Sequence, residues 1–319
     1  MSGQSLGKVL VIRGGALGDF LLTLPVLRAL RGASSHLEIL GYPSFVELAR
    51  DRGLVDAGRS IEYGPMAAFF ARGAVQDPAL RGYFASFDLV LSYLYDPDGI
   101  FAENLRAAGV KRFVQGPHKP SGRARAVDEL SAPLQRLGLG VDANAAHLNP
   151  PTTPAPQTTI ALHPGSGSPA KNWPAANWRD LAQKLLAAYP HARLVIIRGE
   201  ADGKEVGSLG SLRQNPRAEF WENRPLVELA RRLEAVGGYI GHDTGVSHLA
   251  AVLAVPSILL FGPTDPSVWA PPHDWVGVLR APDKDLAQLE VATVLTAIGK
   301  HIGPRLLATP HQNPQNPAS

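Results

Sequence analysis

The sequence predicts an α/β protein of two Rossmann-like domains, each built on a parallel sheet, facing one another across a cleft. Three observations carry this. Short buried runs alternate with helical stretches along the chain, the pattern of parallel strands joined by crossover helices. A strand, a glycine-rich loop and a helix open the chain at KVLVIRGGALGDFLLTLPVLRALR, and the same succession restarts at TTIALHPGSGSPAKNWPAANWRDLAQKLLAAYP. Between the two, residues 149–157 hold four prolines in nine positions, which makes a semi-rigid linker. We therefore place one domain at 1–148, the linker at 149–158 and the second domain at 159–303. The Pro/Asn/Gln-rich tail at 304–319 has the composition of a disordered segment.

The elements follow in order. VLVI at 9–12 reads as the first strand, and the helix after its glycine turn ends in Arg28 and Arg31, which suit the negative end of the helix dipole. Pro25 kinks that helix or marks an early turn of it. HLEIL, DLVLSYLY and VKRFVQG read as further strands, with SFVELARDRG and FAENLRAAG as helices between them. In the second half Pro174 suits a first helical turn, and ARLVIIRGE, YIGH and SILLFG are strands.

Composition narrows the function. A chain of 319 residues, 45% hydrophobic and 18% charged, is that of a soluble globular protein too long for one compact core. Its net charge of +3 permits an anionic partner without requiring one, and no nucleic-acid partner is expected. The absence of cysteine excludes disulfides, thiolate catalysis and zinc–thiolate sites. The N-terminal stretch lacks the features of a signal peptide, and the longest apolar run, AAVLAVPSILLFG, is too short to span a bilayer and contains Pro256. A soluble cytoplasmic protein, at most peripheral on a membrane, is the expectation. No Walker A sequence occurs, and the histidines show no metal-ligand spacing. The DPD at Asp96 and Asp98 reads as a chance pair in a turn, so no metal is expected.

Four stretches can carry chemistry. In RGGALGDF (13–20), Asp19 begins a helix, either as a plain cap or as a general base at the carboxyl end of the first strand. GGALGD does not fit the nicotinamide fingerprint, which disfavours an NAD-linked dehydrogenase. HPGSGSPAKNWP (163–174) offers the Ser166 and Ser168 hydroxyls and the Lys171 cation to a phosphate; a solvated loop is the alternative. In GHDTGVSHLA (241–250), Thr244, Gly245 and Val246 present N–H groups at a helix start, a cradle for a diphosphate. Asp243 orients that loop or binds a hydroxyl or amino group, and His248 is either a packed neutral histidine or a donor to an anion. Thr264 and Asp265, after the last buried strand, line a cleft or cap a turn. A basic set in the first half, Lys111, Arg112, Lys119, Arg123 and Arg125, binds an anionic acceptor or is a solvated face.

Taken together and in this order, VLVIRGGALGDFLLTLPVLRALR, ALHPGSGSPAKNWP and IGHDTGVSHLAAVLAVPSILLFGPTDP resemble family 9 glycosyltransferases, the ADP-heptose:lipopolysaccharide heptosyltransferases. The resemblance runs from about residue 8 to residue 272. It implies a GT-B fold, with the acceptor bound by the N-terminal domain and the nucleotide-sugar donor by the C-terminal one. It also implies inverting transfer with no obligatory metal or other cofactor, from a donor such as ADP-heptose to an anionic glycolipid or glycan at the cytoplasmic face of the inner membrane. By motif position, Asp19 looks like the general base, with Gly18 beside it on the acceptor side. Lys171 looks like the donor-phosphate cation, and Asp243, Thr244 and Gly245 look like the donor-binding turn, with Ser166 and His248 as further donor-side candidates from their own loops. The chain departs from the family where Gly15 and Ala16 stand for the usual serines and His242 for a usual asparagine. A GT-B-like sugar-nucleotide epimerase and a non-catalytic nucleotide-sugar binding protein are the alternative readings.

Overall fold

The computed structural model of the protein describes residues 5–73, 76–145, 147–148, 158–200, 202, 207 and 209–306. The proline-rich linker, apart from residue 158, and the tail beyond residue 306 lie outside the described residues. The chain divides into two compact units, Met1–Leu148 with Pro225–Val227, and Asn149–Arg224 with Glu228–Ser319.

The first unit runs β1 (Lys8–Arg13), α1 (Leu17–Leu21), α2 (Leu24–Ala33), β2 (His36–Gly41), α3 (Pro43–Asp51) and β3 (Ala57–Ser60). A 3₁₀ segment, Gly64–Phe70, leads to α4 (Pro78–Ala85), β4 (Leu89–Ser92), α5 (Ile100–Ala107), β5 (Phe113–Gln115) and α6 (Ala126–Gln135). Its five strands are parallel in the order β3-β2-β1-β4-β5. β1 is central because it is covered on both faces: Val9, Leu10, Val11 and Ile12 are all fully buried. The expected single helix after β1 is two, separated at Leu22 and Thr23. Pro25 sits in the first turn of α2, where its missing N–H costs nothing, and the Thr23 hydroxyl donates to the Phe20 carbonyl at 2.6 Å. β3 (AGRS) and α4 were not legible in the sequence. AGRS has no apolar alternation, and α4 is announced mainly by Asp77, whose side chain accepts the Leu80 N–H.

The second unit runs β6 (Thr159–His163), α7 (Ala175–Ala188), β7 (Arg193–Arg198), β8 (Ala218–Glu222), α8 (Leu226–Leu233) and β9 (Gly238–His242). It continues with α9 (Gly245–Val252), β10 (Ser257–Phe261), α10 (Pro266–Trp269), β11 (Val276–Arg280), α11 (Val291–His301) and α12 (Gly303–Leu306). The six parallel strands are ordered β11-β10-β9-β6-β7-β8. One core cluster gathers Leu162, Trp173, Trp178, Ile240, Leu260 and Ile298 beneath α7 and α11. Leu306 belongs to the same cluster, so ordered chain continues past residue 303. Pro174 immediately precedes α7 instead of lying inside its first turn. Among the described residues no helix is long and apolar enough to cross a membrane.

In both units the strand order reverses beside the first strand. The chain goes from β1 outward to β3 and returns at β4, and from β6 outward to β8 and returns at β9. Loops leaving the carboxyl ends of β1 and β4, or of β6 and β9, therefore diverge and leave a crevice. Replacing Leu10 by Ala, in the middle of β1, should cost about 2–5 kcal/mol, read as a lower urea unfolding midpoint at unchanged slope.

Candidate functional site

At the carboxyl end of β1 the chain turns through Gly14, Gly15 and Ala16 into α1. Asp19 is the third residue of that helix, not its cap; Ala16 is the cap residue. The Asp19 Oδ2 accepts the Ala16 N–H at 3.0 Å, so the carboxylate folds back over the turn. Gly15 has φ +87°, and a Cβ there would stand 2.7 Å from Asp19 Oδ2. A side chain at residue 15 is sterically excluded as long as Asp19 keeps this position. Asp19 Oδ1 lies 3.6 Å from Nη2 of Arg13, whose side chain is 1% exposed, while the Asp19 side chain is 27% exposed.

Arg13 organises this edge. Its Nε and Nη2 donate to the Asp19 carbonyl at 3.2 and 3.1 Å, its Nη1 donates to the His118 carbonyl at 3.2 Å, and the guanidinium lies over the Tyr93 ring. Burial lowers the Arg13 pKa, and Asp19 opposes that shift. One buried cation thus ties the loop after β5 to the turn after β1.

The basic set does not form one patch. Lys111 and Arg112 precede β5 and the Arg112 carbonyl accepts the Val90 N–H, which puts them at the amino-terminal edge of the sheet. Lys119, Arg123 and Arg125 follow β5 and stand at the edge that carries Asp19 and Gly18. Sequence proximity misled here because a strand of only three residues separates opposite edges of the sheet. Arg125 is engaged by Asp128 at 2.7 and 3.0 Å. Glu129 accepts the N–H groups of Ser121, Arg123 and Ala124 and so winds the loop about itself. A cavity of about 500 Å³ lies beside this loop, lined by Ser121, Arg123, Glu129 and Arg136 among others. Asp96 is structural: its two oxygens accept the N–H groups of Phe101 and Ala102 at the start of α5.

The second unit builds its site between the ends of β6 and β9. Thr244 is the N-cap of α9 and its Oγ1 accepts the Ser247 N–H at 3.4 Å. The Gly245 and Val246 N–H groups, in the first turn, have no carbonyl of their own helix to bond, and residues 243–246 are partly open to solvent. Lys171 reaches Asp243 from the loop after β6, with Nζ 3.0 Å from Oδ2. His248 Nε2 lies 3.7 Å from the other oxygen of Asp243. Burial alone would raise the Asp243 pKa, but His248 and Lys171 hold it down to about 2. His248 therefore faces Asp243 within its own turn. The Ser166 hydroxyl is spent inside its loop, between the Ser168 carbonyl at 2.7 Å and Asn172 Oδ1 at 2.6 Å. Asp265 caps α10 through Ser267, and the buried Thr264 hydroxyl has no hydrogen-bond partner among the described residues.

Three residues to which the sequence assigned no role, His242, His163 and Asp202, hold this arrangement. His242, fully buried at the end of β9, accepts the Trp173 N–H on Nε2 at 2.8 Å and meets the Trp178 ring edge-on. That bond pins the loop carrying Lys171 beside Asp243. His163, at the end of β6, lies 2.9 Å from Asp202 through Nε2 and 3.3 Å from the Thr244 hydroxyl through Nδ1. With Nε2–H donating to Asp202, Nδ1 accepts from Thr244. Asp202 fits only because residue 165 is glycine, since a Cβ there would lie 2.2 Å from its carboxyl carbon. The signal for His163 and His242 was a histidine ending an otherwise apolar strand. Asp202, in a loop of no distinctive pattern, gave none.

The matched family model decides the assignment. The model for "Glycosyltransferase family 9 (heptosyltransferase)" covers residues 123–297, more than half of the 319 residues. This chain belongs to glycosyltransferase family 9. The lipopolysaccharide heptosyltransferase 1 of Pseudomonas aeruginosa is 35% identical over 107 residues, 34% of this chain and 29% of that protein. That of Salmonella typhimurium is 31% identical over 128 residues, 40% of this chain and 39% of that protein. The match thus spans well under half the length of these curated relatives. Among solved structures, the family 9 glycosyl transferase from Veillonella parvula superposes with a TM-score of 0.75 at 17% identity, covering 96% of this chain and 98% of that one. The E. coli heptosyltransferase WaaC with ADP gives 0.69 at 21%, covering 92% and 99%. The fold of this chain is GT-B, two Rossmann-like parallel-sheet units.

The buried His242 is held neutral: burial, then the neighbouring His163, lowers its pKa from 6.5 to about 3. A histidine whose folded pKa lies below its unfolded value gives stability that is complete above pH 6.5 and is lost as pH falls toward 3. His242→Asn should remove on the order of 3 kcal/mol of the acid destabilisation expected between about pH 6.5 and 4. Urea unfolding of both proteins across that range checks it.

Proposed function

We propose that this protein is an inverting glycosyltransferase that moves a heptose from ADP-heptose to a lipopolysaccharide-core or related anionic glycan acceptor, with Asp19 as general base. The observation that carries the reading is the pairing of chemistries at the two crevices. One offers a partly exposed carboxylate; the other offers the start of α9 with the Lys171 cation beside it. The names of the relatives, lipopolysaccharide heptosyltransferases, and the WaaC structure with ADP support the choice of donor and acceptor.

The chemistry asks one thing of each unit. Asp19 takes the proton from the acceptor hydroxyl as its oxygen attacks the anomeric carbon from the face opposite the diphosphate. The bond to the diphosphate oxygen breaks, and the Gly245 and Val246 N–H groups with Lys171 stabilise the charge that leaves. Asp243 keeps the ammonium of Lys171 in place, and His163 with Asp202 keeps Thr244 in its capping position. Gly18 lies beside Asp19 on the acceptor side, where Lys119, Arg123 and Arg125 attract anionic groups. Ser166 acts by shaping the donor loop, with His248 supporting Asp243. Among the described residues no three His, Asp or Glu side chains converge as a metal site, and the reading gives stabilisation of the diphosphate to the chain itself. A nucleotide-activated donor places the reaction on the cytoplasmic side, with the acceptor met at the inner-membrane surface.

Transfer from ADP-heptose to a heptose-deficient lipopolysaccharide core, followed by product analysis, tests the reading directly. Asp19→Asn should lower kcat by about 10²–10⁴ with donor affinity unchanged. Full activity in that variant, or release of an isomerised donor without acceptor, overturns it. Lys171→Ala should weaken ADP binding about tenfold by calorimetry. Exhaustive chelation should leave the rate unchanged.

A further inference from the structure

Aromatic side chains are exposed at one edge of the first unit. Among the described residues the exposed large hydrophobics are Tyr42, Tyr63, Phe70, Tyr95 and Val278, and all but the last belong to this unit. Single exposed rings need no explanation in general. Two of these stand in a particular place. Tyr42, 37% exposed, follows β2, and Tyr95, 67% exposed, lies three residues past β4. β2 and β4 are the two neighbours of β1, so these rings stand on either side of the turn that presents Asp19. The register confirms the level: Arg13 pairs with Gly41, and the Tyr93 N–H donates to the Ile12 carbonyl.

Both rings are braced, and each brace leads back to Asp19. The Tyr95 ring packs against the His118 ring at 4.6 Å between centroids, and the His118 carbonyl accepts from Arg13, whose guanidinium faces Asp19. The Tyr42 ring meets Phe45 edge-on at 5.7 Å, and Phe45 stacks at 5.0 Å on Phe20, the residue after Asp19. A ring already held loses little freedom when something stacks on it.

The ligand that suits this setting has apolar faces and a polar rim. A pyranose ring is such a body: its axial C–H bonds pack on the negative face of an aromatic ring, while its hydroxyls point outward. The turn that leaves β1 between these two strands carries the exposed Gly15 and the partly exposed Asp19 carboxylate, groups that pair with hydroxyls. A protein partner would ask for a continuous apolar patch, whereas here two single rings are separated by polar backbone.

We propose that Tyr42 and Tyr95 are the stacking residues of an acceptor-sugar subsite that holds a pyranose ring against Asp19. This rests on the reading of the first unit as the acceptor-binding half, and it assigns recognition of the sugar faces to these two rings, apart from the cationic loop after β5. The test is direct binding, without donor, of delipidated heptose-deficient lipopolysaccharide core oligosaccharide by calorimetry. Tyr42→Ala and Tyr95→Ala should each weaken binding about tenfold, while Tyr42→Phe and Tyr95→Phe stay within twofold of the parent and ADP binding is unchanged in all four. In turnover the alanine variants should raise the acceptor KM by the same factor with kcat retained. Equal oligosaccharide binding by parent and alanine variants overturns the proposal, as does absence of binding to the parent protein. Loss of oligosaccharide binding in the alanine variants, together with no sugar transfer by the parent, would instead sink the transferase reading and leave the stacking residues standing.

Discussion

A parallel sheet that grows outward from its first strand and then returns to that strand's other side must send consecutive loops in opposite directions. This reversal, beside β1 in one unit and β6 in the other, is the constraint on which both candidate sites depend. It explains why chemistry-bearing residues far apart in sequence gather at the same kind of place. Arg13 and Tyr93 meet across β1 and β4, and His163 and Thr244 meet across β6 and β9. The crevice is a by-product of connectivity. The side chains that fill it are what make the two units different.

In the second unit the filling is ionic and tightly accounted for. A buried carboxylate is costly unless its oxygens are met by cations or donors. Asp243 has Lys171 on one oxygen and His248 near the other, and Asp202 has His163 and the Gly199 N–H. Because both carboxylates are satisfied from within the protein, the open groups in the turn are N–H donors of α9, and the turn favours an anion. In the first unit the balance is reversed. Arg13 is buried and spends its donors on backbone carbonyls, so the Asp19 carboxylate keeps an accessible face.

Much of this could be read from the chain alone, and the limits have physical causes. Long apolar strands and glycine loops are local signals, so β1, β6, β9, β10 and the two sites at their ends were legible. Lys171, Asp243, Thr244, Gly245 and His248 come together as their motifs suggested. The strands β3, β5 and β11 lie at sheet edges, where half their residues need not be apolar, and β3 and β11 left no periodic trace. Partners across the sheet were also hidden. Nothing near Trp173 in sequence announces that its N–H will find His242, sixty-nine residues on. The basic set is divided between two edges of the sheet because adjacency along the chain is not adjacency across a strand.

The contact between residue 15 and Asp19 has a consequence for how this loop can change. With Asp19 Oδ2 folded over the turn and Gly15 at positive φ, the space for one residue's side chain is the space for the other's carboxylate. The two positions therefore form a single mutational unit. A side chain at residue 15 and this placement of the Asp19 carboxylate exclude one another. Any residue but glycine there makes the carboxylate swing away, and the Ala16 N–H that it now accepts is then released to solvent or to a ligand.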